Sequence, residues 1–137
     1  MKKKLKCILL IDDDEATNFF HQIIIEQADC AEHVEVATNG KKAIEFLTRE
    51  RKNNCTPDII FLDINMPVMN GWEFLDAYEK LDAAQKSKIV LVMLTASINP
   101  DDMQKAEKRE SVSGFRSKPL SVEMLNEIIQ TYFPDYL

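Results

Sequence analysis

The chain has 137 residues, enough for one compact domain with a sizeable core. Hydrophobic residues make up 45% and charged residues 29%, a soluble globular composition that excludes a disordered chain. A formal net charge of −6 argues against nonspecific nucleic-acid binding, which needs a basic face.

Met1-Lys2-Lys3-Lys4 is basic, but the apolar run that follows, Cys7-Ile8-Leu9-Leu10-Ile11, is too short for a signal-peptide core or a membrane span. A first strand over residues 6–11 is expected instead. Residues 15–28 read as a helix, with Ala16, Phe19, Phe20, Ile23 and Ile24 on one apolar face and Ile25 pointing the opposite way, exposed or on a contact surface. Val34 and Val36 alternate with polar residues in a short second strand near the sheet edge. Asn39-Gly40 is a turn signal, and Ala43, Phe46 and Leu47 form the apolar face of a second helix. Residues 48–57 are polar and read as a helix end plus loop. A third strand is expected over 58–62, then a loop over 63–70 with Pro67. Gly71 opens a third helix that buries Phe74, Ala77, Tyr78 and Leu81 and leaves Trp72 part exposed. Residues 88–94 are the strongest strand and should be central. The helix over 100–109 offers only Met103 and Ala106 as apolar anchors. A fifth strand over 113–117 leads to Ser121, a helix N-cap, with Val122, Leu125, Ile128, Ile129 and Tyr132 on one face and Pro134 as the stop. Five buried parallel strands alternating with five helices define an α/β domain. Cys7, Cys30 and Cys55 are odd in number and lack C-x-x-C spacing, so free thiols and a cytoplasmic location are expected. His21 and His33 are isolated and read as structural or surface residues.

The strand ends carry the chemistry. Strand 1 runs into Asp12-Asp13-Asp14, strand 3 into Asp63, strand 4 into Thr95 and strand 5 into Lys118-Pro119. In an open α/β sheet, functional groups gather beyond the carboxyl ends of the strands. A run of Asp at a helix start also serves as cap and dipole complement, and Asp63 alone would be a loop acid. Together, however, these carboxylates would repel one another, and a divalent cation such as Mg²⁺ relieves that. The Lys118 ammonium and the Thr95 hydroxyl suit a phosphoryl group, and Asp63 is then the natural nucleophile, forming an acyl phosphate. The chain has three glycines and no P-loop, no G-x-S-x-G elbow and no dinucleotide fingerprint.

Four pieces in this order and strand context resemble the receiver domain of two-component response regulators, over nearly the whole chain. They are Asp12-Asp13, the segment Asp63-Ile64-Asn65-Met66-Pro67-Val68-Met69-Asn70-Gly71, Thr95-Ala96, and Phe115 three residues before Lys118-Pro119. The resemblance implies a doubly wound, flavodoxin-like sheet of order 2-1-3-4-5 with five helices. It implies Asp63 as phosphoacceptor, and Mg²⁺ held by Asp12, Asp13, Asp63 and the Asn65 main-chain carbonyl. Thr95, Ala96 and Lys118 would meet the phosphoryl group, with Ala96 leaving access. Thr95 and Phe115 would form the switch, the Lys118-Pro119 bond would be cis, and Asn65 and Ser97 would tune dephosphorylation. Asp14 receives no ligand role. The loops around 48–57 and 97–100 are slightly long for a minimal receiver. A single receiver domain over residues 1–137 without an output domain is expected.

The implied function is a switch that is not an enzyme beyond assisting its own phosphorylation and dephosphorylation. A histidine kinase or histidine phosphotransfer protein would donate, and the output would be contact with an unknown protein or onward phosphotransfer, with no nucleic acid and no membrane insertion. Two other classes remain. Asp12-x-Asp14 weakly resembles the nucleophile motif of haloacid-dehalogenase phosphatases, though Glu15 stands where a turn-permitting Gly would and the chain is short for that fold's core and cap. A receiver-like module that binds partners without phosphorylation is the other, and the intact acids and Lys118 argue against it.

Overall fold

The computed structural model describes residues 4–48, 57–64, 66, 69–81, 89–96 and 99–134. Strands β1 (Leu5–Ile11), β2 (Ala31–Ala37), β3 (Ile59–Asp63), β4 (Val90–Thr95) and β5 (Gly114–Ser117) alternate with helices α1 (Glu15–Ala28), α2 (Gly40–Thr48), α3 (Gly71–Glu79), α4 (Pro100–Glu107) and α5 (Val122–Tyr132). The strands form one parallel sheet of order β2-β1-β3-β4-β5. Every residue of β3 and β4 is buried, because helices cover both faces of these central strands. This is why their sequences are unbroken apolar runs rather than alternating ones.

Successive side chains along a strand point to opposite faces, which splits the core in two. Leu9, Ile11, Ile60, Leu62, Leu91 and Met93 pack with α2, α3 and Ala106 of α4. Ile8, Leu10, Ile59, Phe61, Val92 and Leu94 pack with α1 and α5. Ala43, Phe46 and Leu47 of α2 are buried, as are Phe74 and Tyr78 of α3, whose rings stack at 5.7 Å. Ala77 and Leu81 are only part buried, and Leu75 completes the buried face of α3 in their place.

Helix α1 departs from the sequence reading. Its buried stripe is Asn18, His21 and Ile25, an i, i+3, i+7 face. Ile25 is 1% exposed, whereas Phe19 and Phe20 are 64% and 44% exposed. Ala16 is exposed as well, and Ile23 and Ile24 are half-buried. The apolar wheel misorients this helix because two polar residues occupy the buried stripe, one tied to the turn before the helix and the other to distant backbone. The Asn18 amide donates to the Asp12 carbonyl at 2.8 Å, and His21 Nε2 accepts from the Leu120 N–H at 3.3 Å. Tyr132 in α5 also differs from the reading, being 40% exposed with its hydroxyl donating to the Ser113 carbonyl at 2.7 Å. A phenol that finds an acceptor at the surface gains more there than under apolar neighbours. Leu125, Ile128 and Ile129 do form the buried face of α5.

Candidate functional site

The carboxyl ends of β1, β3, β4 and β5 converge because their registers are locked by parallel pairing. Ile11 pairs with Leu62, Asp63 with Leu94, and Thr95 with Ser117. The residue that follows each paired end, or closes it, is therefore delivered to one rim. Asp12 is buried and Asp13 is exposed. The Asp12 N–H donates to the Ala37 carbonyl at 3.1 Å, and Asp12 Oδ1 accepts from the Asp14 N–H at 2.9 Å. Asp63 and Thr95 are buried at the ends of β3 and β4. The Lys118 N–H donates to the Thr95 carbonyl at 2.7 Å, which fixes where the lysine leaves β5.

Lys118 Nζ lies 2.6 Å from Asp12 Oδ2 and 3.3 Å from Asp63 Oδ1. Burial alone pushes this ammonium down, but the Asp12 hydrogen bond and charge, then Asp63, outweigh it and hold the lysine above its ordinary value. Lys118 is therefore a fixed cation at neutral pH. Asp12, Asp13 and Asp63 each offer a carboxylate oxygen, and these oxygens lie within 4.8 Å of one another. Three carboxylates face one ammonium, so the cluster carries uncompensated negative charge. Hard oxygen donors in such a set fit Mg²⁺, which prefers a few carboxylates together with water and phosphate oxygens.

The loop after β3 is shaped by close backbone approach. The Gly71 N–H donates to the Ile64 carbonyl at 2.7 Å, and a Cβ at Gly71 would meet the Asp63 carbonyl oxygen at 2.8 Å. Asn70 and Glu73 close a reciprocal capping box at the start of α3. Asn65 and Ser97 lie outside the described residues, as do Pro67 and Cys55.

Other residues singled out in the sequence fall into place around this cluster. Asp14 is the N-cap of α1, where it accepts from the Thr17 N–H and hydroxyl, and the hydroxyl bond holds its carboxyl below the ordinary range. The Lys118-Pro119 peptide bond is cis. Ala96 is exposed beside a cavity of about 360 Å³ lined by Ala16, Thr17, Phe20, His21, Lys118 and Pro119. Phe115 is not among the carboxylates; it pairs with Met93 and packs, half-buried, on the α2–α3–α4 side of the sheet.

Sequence reasoning missed the role of His21. It is 2% exposed and receives the Leu120 N–H two residues beyond Lys118, so the neutral ring carries its proton on Nδ1. Burial pushes its basicity down; Asp12 opposes that and Lys118 adds to it. No local signal could have found this contact, since 99 positions separate its two residues.

Residues 8–130 match the family of the response regulator receiver domain. A two-component response regulator from Cytophaga hutchinsonii has a similar solved structure, 34% identical, with a TM-score of 0.85 over 96% of this chain and 99% of that one. The sporulation initiation phosphotransferase F of Bacillus subtilis is 28% identical over 72% of this chain and 71% of its own length. The hybrid signal transduction histidine kinase I of Dictyostelium discoideum is 27% identical over 76% of this chain, which corresponds to 6% of the kinase. The fold and the match together make this chain a member of the response regulator receiver family, the phosphorylation-dependent switches of two-component signalling. Receiver domains take phosphoryl groups from histidine kinases or phosphotransfer proteins and bind Mg²⁺ at an acidic pocket. Among the described residues, no helix is long and apolar enough to cross a membrane.

Proposed function

We propose that Asp63 is the phosphoacceptor and that this chain relays its state by protein contact or onward phosphotransfer. The observation that carries this reading is Lys118, whose ammonium reaches both Asp12 and Asp63. An Asp63 oxygen attacks the phosphorus of a donor phosphohistidine. A P–O bond forms and the P–N bond breaks; the donor ring, already protonated on its other nitrogen, leaves with the bonding pair as neutral imidazole. Lys118 swings its charge toward the phosphoryl oxygens, and the Thr95 hydroxyl donates to them. Ala96, being small, leaves their path open. Asp12, Asp13 and Asp63, with the Asn65 carbonyl, would hold Mg²⁺. Bound there, the ion neutralises charge on the phosphoryl oxygens. Asn65 and Ser97 set the lifetime of the acyl phosphate. The donor enters through the cavity between α1 and Pro119, beside the exposed Phe20 ring.

On phosphorylation Thr95 moves toward the new group, Phe115 rotates inward, and α4, which follows Thr95, shifts the face made by α4, β5 and α5. Incubation with acetyl phosphate, followed by intact mass, tests the central claim. One phosphoryl mass should appear with Mg²⁺ and disappear with EDTA or in Asp63→Asn. A mass gain that persists in that variant would overturn the assignment.

A further inference from the structure

A second feature, sharing no residue with the carboxylate cluster, lies between α3 and α4. Trp72 of α3, with Lys105 of α4 and Lys108 and Arg109 just beyond, lines a cavity of about 340 Å³. Trp72 is the only tryptophan of the chain and is half-buried. Lys105 Nζ stands 5.5 Å from the centre of its ring, within cation–π range. Lys105, Lys108 and Arg109 share one face by their i, i+3, i+4 spacing.

Of the three cations that line this cavity, Arg109 alone is ion-paired among the described residues. Arg109 donates to Asp76 at 2.9 Å and to Glu79 at 2.8 Å, while the third acid of α3, Glu73, is bonded to Asn70 in the capping box. Asp101 and Asp102 lie in the first turn of α4, where they complement the helix N-terminus. Among the described residues, neither Lys105 nor Lys108 has a carboxylate within ion-pair distance, and both are exposed. A chain of net charge −6 thus carries a cavity lined by an indole, two lysines without a carboxylate partner and the paired Arg109.

We propose that this groove docks an acidic peptide segment of a partner protein that also offers an apolar side chain. Glutamate or aspartate of that segment would take Lys105 and Lys108, and the apolar side chain would cover the indole face that Lys105 vacates. Long-range repulsion from the rest of this acidic protein would reject acidic chains that miss the groove, so the local sign reversal supplies register as well as attraction. The two walls follow different strand ends of the site: α3 comes after the Asp63 loop and α4 after Thr95. A partner held across both walls is placed to sense their separation, and this last step rests on the reading of Asp63 as phosphoacceptor.

The test uses the unphosphorylated protein, so it succeeds or fails independently of Asp63. Trp72 fluorescence is titrated with a blocked Glu-Glu-Leu-Glu-Glu peptide at low salt. The expected result is a saturable change that weakens about tenfold in the Lys105→Glu/Lys108→Glu variant and at about 0.5 M salt. The neutral pair Lys105→Gln/Lys108→Gln should weaken it by less, and a Lys-Lys-Leu-Lys-Lys peptide should give no saturable change. Three results would overturn the proposal: no saturation by the acidic peptide, equal affinity in the charge-reversed variant, or displacement of the peptide by ATP, which would make this a nucleotide site.

Discussion

Helices α1 and α4 both follow a strand end of the acidic cluster, yet they are held in opposite ways. Helix α1, of 14 residues, buries Asn18, His21 and Ile25 and reaches the loop after β5 through His21. Helix α4, of 8 residues, buries only Ala106. What ties its end to α3 is Arg109, which bridges to Asp76 and Glu79 at the surface. Buried contacts are worth several times an exposed ion pair. One wall of the site is therefore anchored in the core, and the other rests on surface charge. An anchored wall suits fixed groups such as Asp12 and Asp13, which lead into α1, while a loosely docked wall is the one a new charge at Asp63 can move.

The largest expected effect measures that anchoring directly. Ile25→Ala should cost about 2–5 kcal/mol, the range for a fully buried aliphatic residue. Met103→Ala, at a half-buried site on α4, should cost no more than about 1 kcal/mol. Urea unfolding of both variants gives the two values. Equal losses would erase the distinction between the walls.

The outer surface of α1 sharpens the comparison from the other side. Phe19 and Phe20 are exposed large rings, and Phe20 rims the cavity beside Lys118. Phe20→Ala should slow transfer from a phosphorylated histidine kinase about five- to thirty-fold, corresponding to about 1–2 kcal/mol of lost contact. The rate with acetyl phosphate should stay unchanged, since that donor needs no docking surface. Equal slowing with both donors would place Phe20 in the chemistry instead.

His21 gives a smaller effect with a defined sign. Its folded-state pKa lies below its ordinary value of 6.5, so the unfolded chain takes up the proton first as pH falls. The stability due to neutral His21 is whole above about pH 6.5 and is lost as pH drops below it, by at most about 1.4 kcal/mol per pH unit. Lys118 acts at the alkaline end. Its pKa is raised above 10.5, so its contribution is whole below that value and is lost as pH rises through the higher folded one. His21→Gln keeps an acceptor for the Leu120 N–H but does not titrate. Between pH 7 and 5 its stability should fall less steeply than that of the parent, and parallel curves would show that His21 is not held neutral by the fold.

These two helices also mark where the sequence was readable. Strands β1, β3 and β4 stand out as apolar runs because both their faces are covered, and the site followed because each run ends on a residue with chemistry. The weak docking of α4 was legible for the same reason: Met103 and Ala106 are its only apolar anchors. The buried face of α1 was not legible. Periodicity equates apolar with buried, and Asn18 and His21 break that rule through bonds to Asp12 in the turn before the helix and to Leu120, 99 positions away. Tyr132 misled for a related reason, since its hydroxyl finds the Ser113 carbonyl at the surface.

The smallest expected effect concerns Arg109. Its pairs with Asp76 and Glu79 are partly solvent-accessible, and burial of the guanidinium opposes a net upward shift that those two acids produce. Exposed pairs of this kind contribute about 0.2–1 kcal/mol. Arg109→Ala should therefore leave global stability nearly unchanged while raising amide exchange in α4 by about 1.4- to 5-fold, the same energy expressed as a local opening equilibrium. Exchange in α1 should not respond, because α1 packs into the other of the two cores, on the opposite face of the sheet from Ala106. Beryllofluoride, a phosphoryl mimic, then supplies the second arm of the experiment. If α4 is the wall that moves, the mimic should change protection at α4 and Phe115, and loosening α4 through Arg109→Ala should alter the size of that change. Protection changes confined to the Asp63 loop in both proteins would mean that the loosely docked wall does not carry the signal.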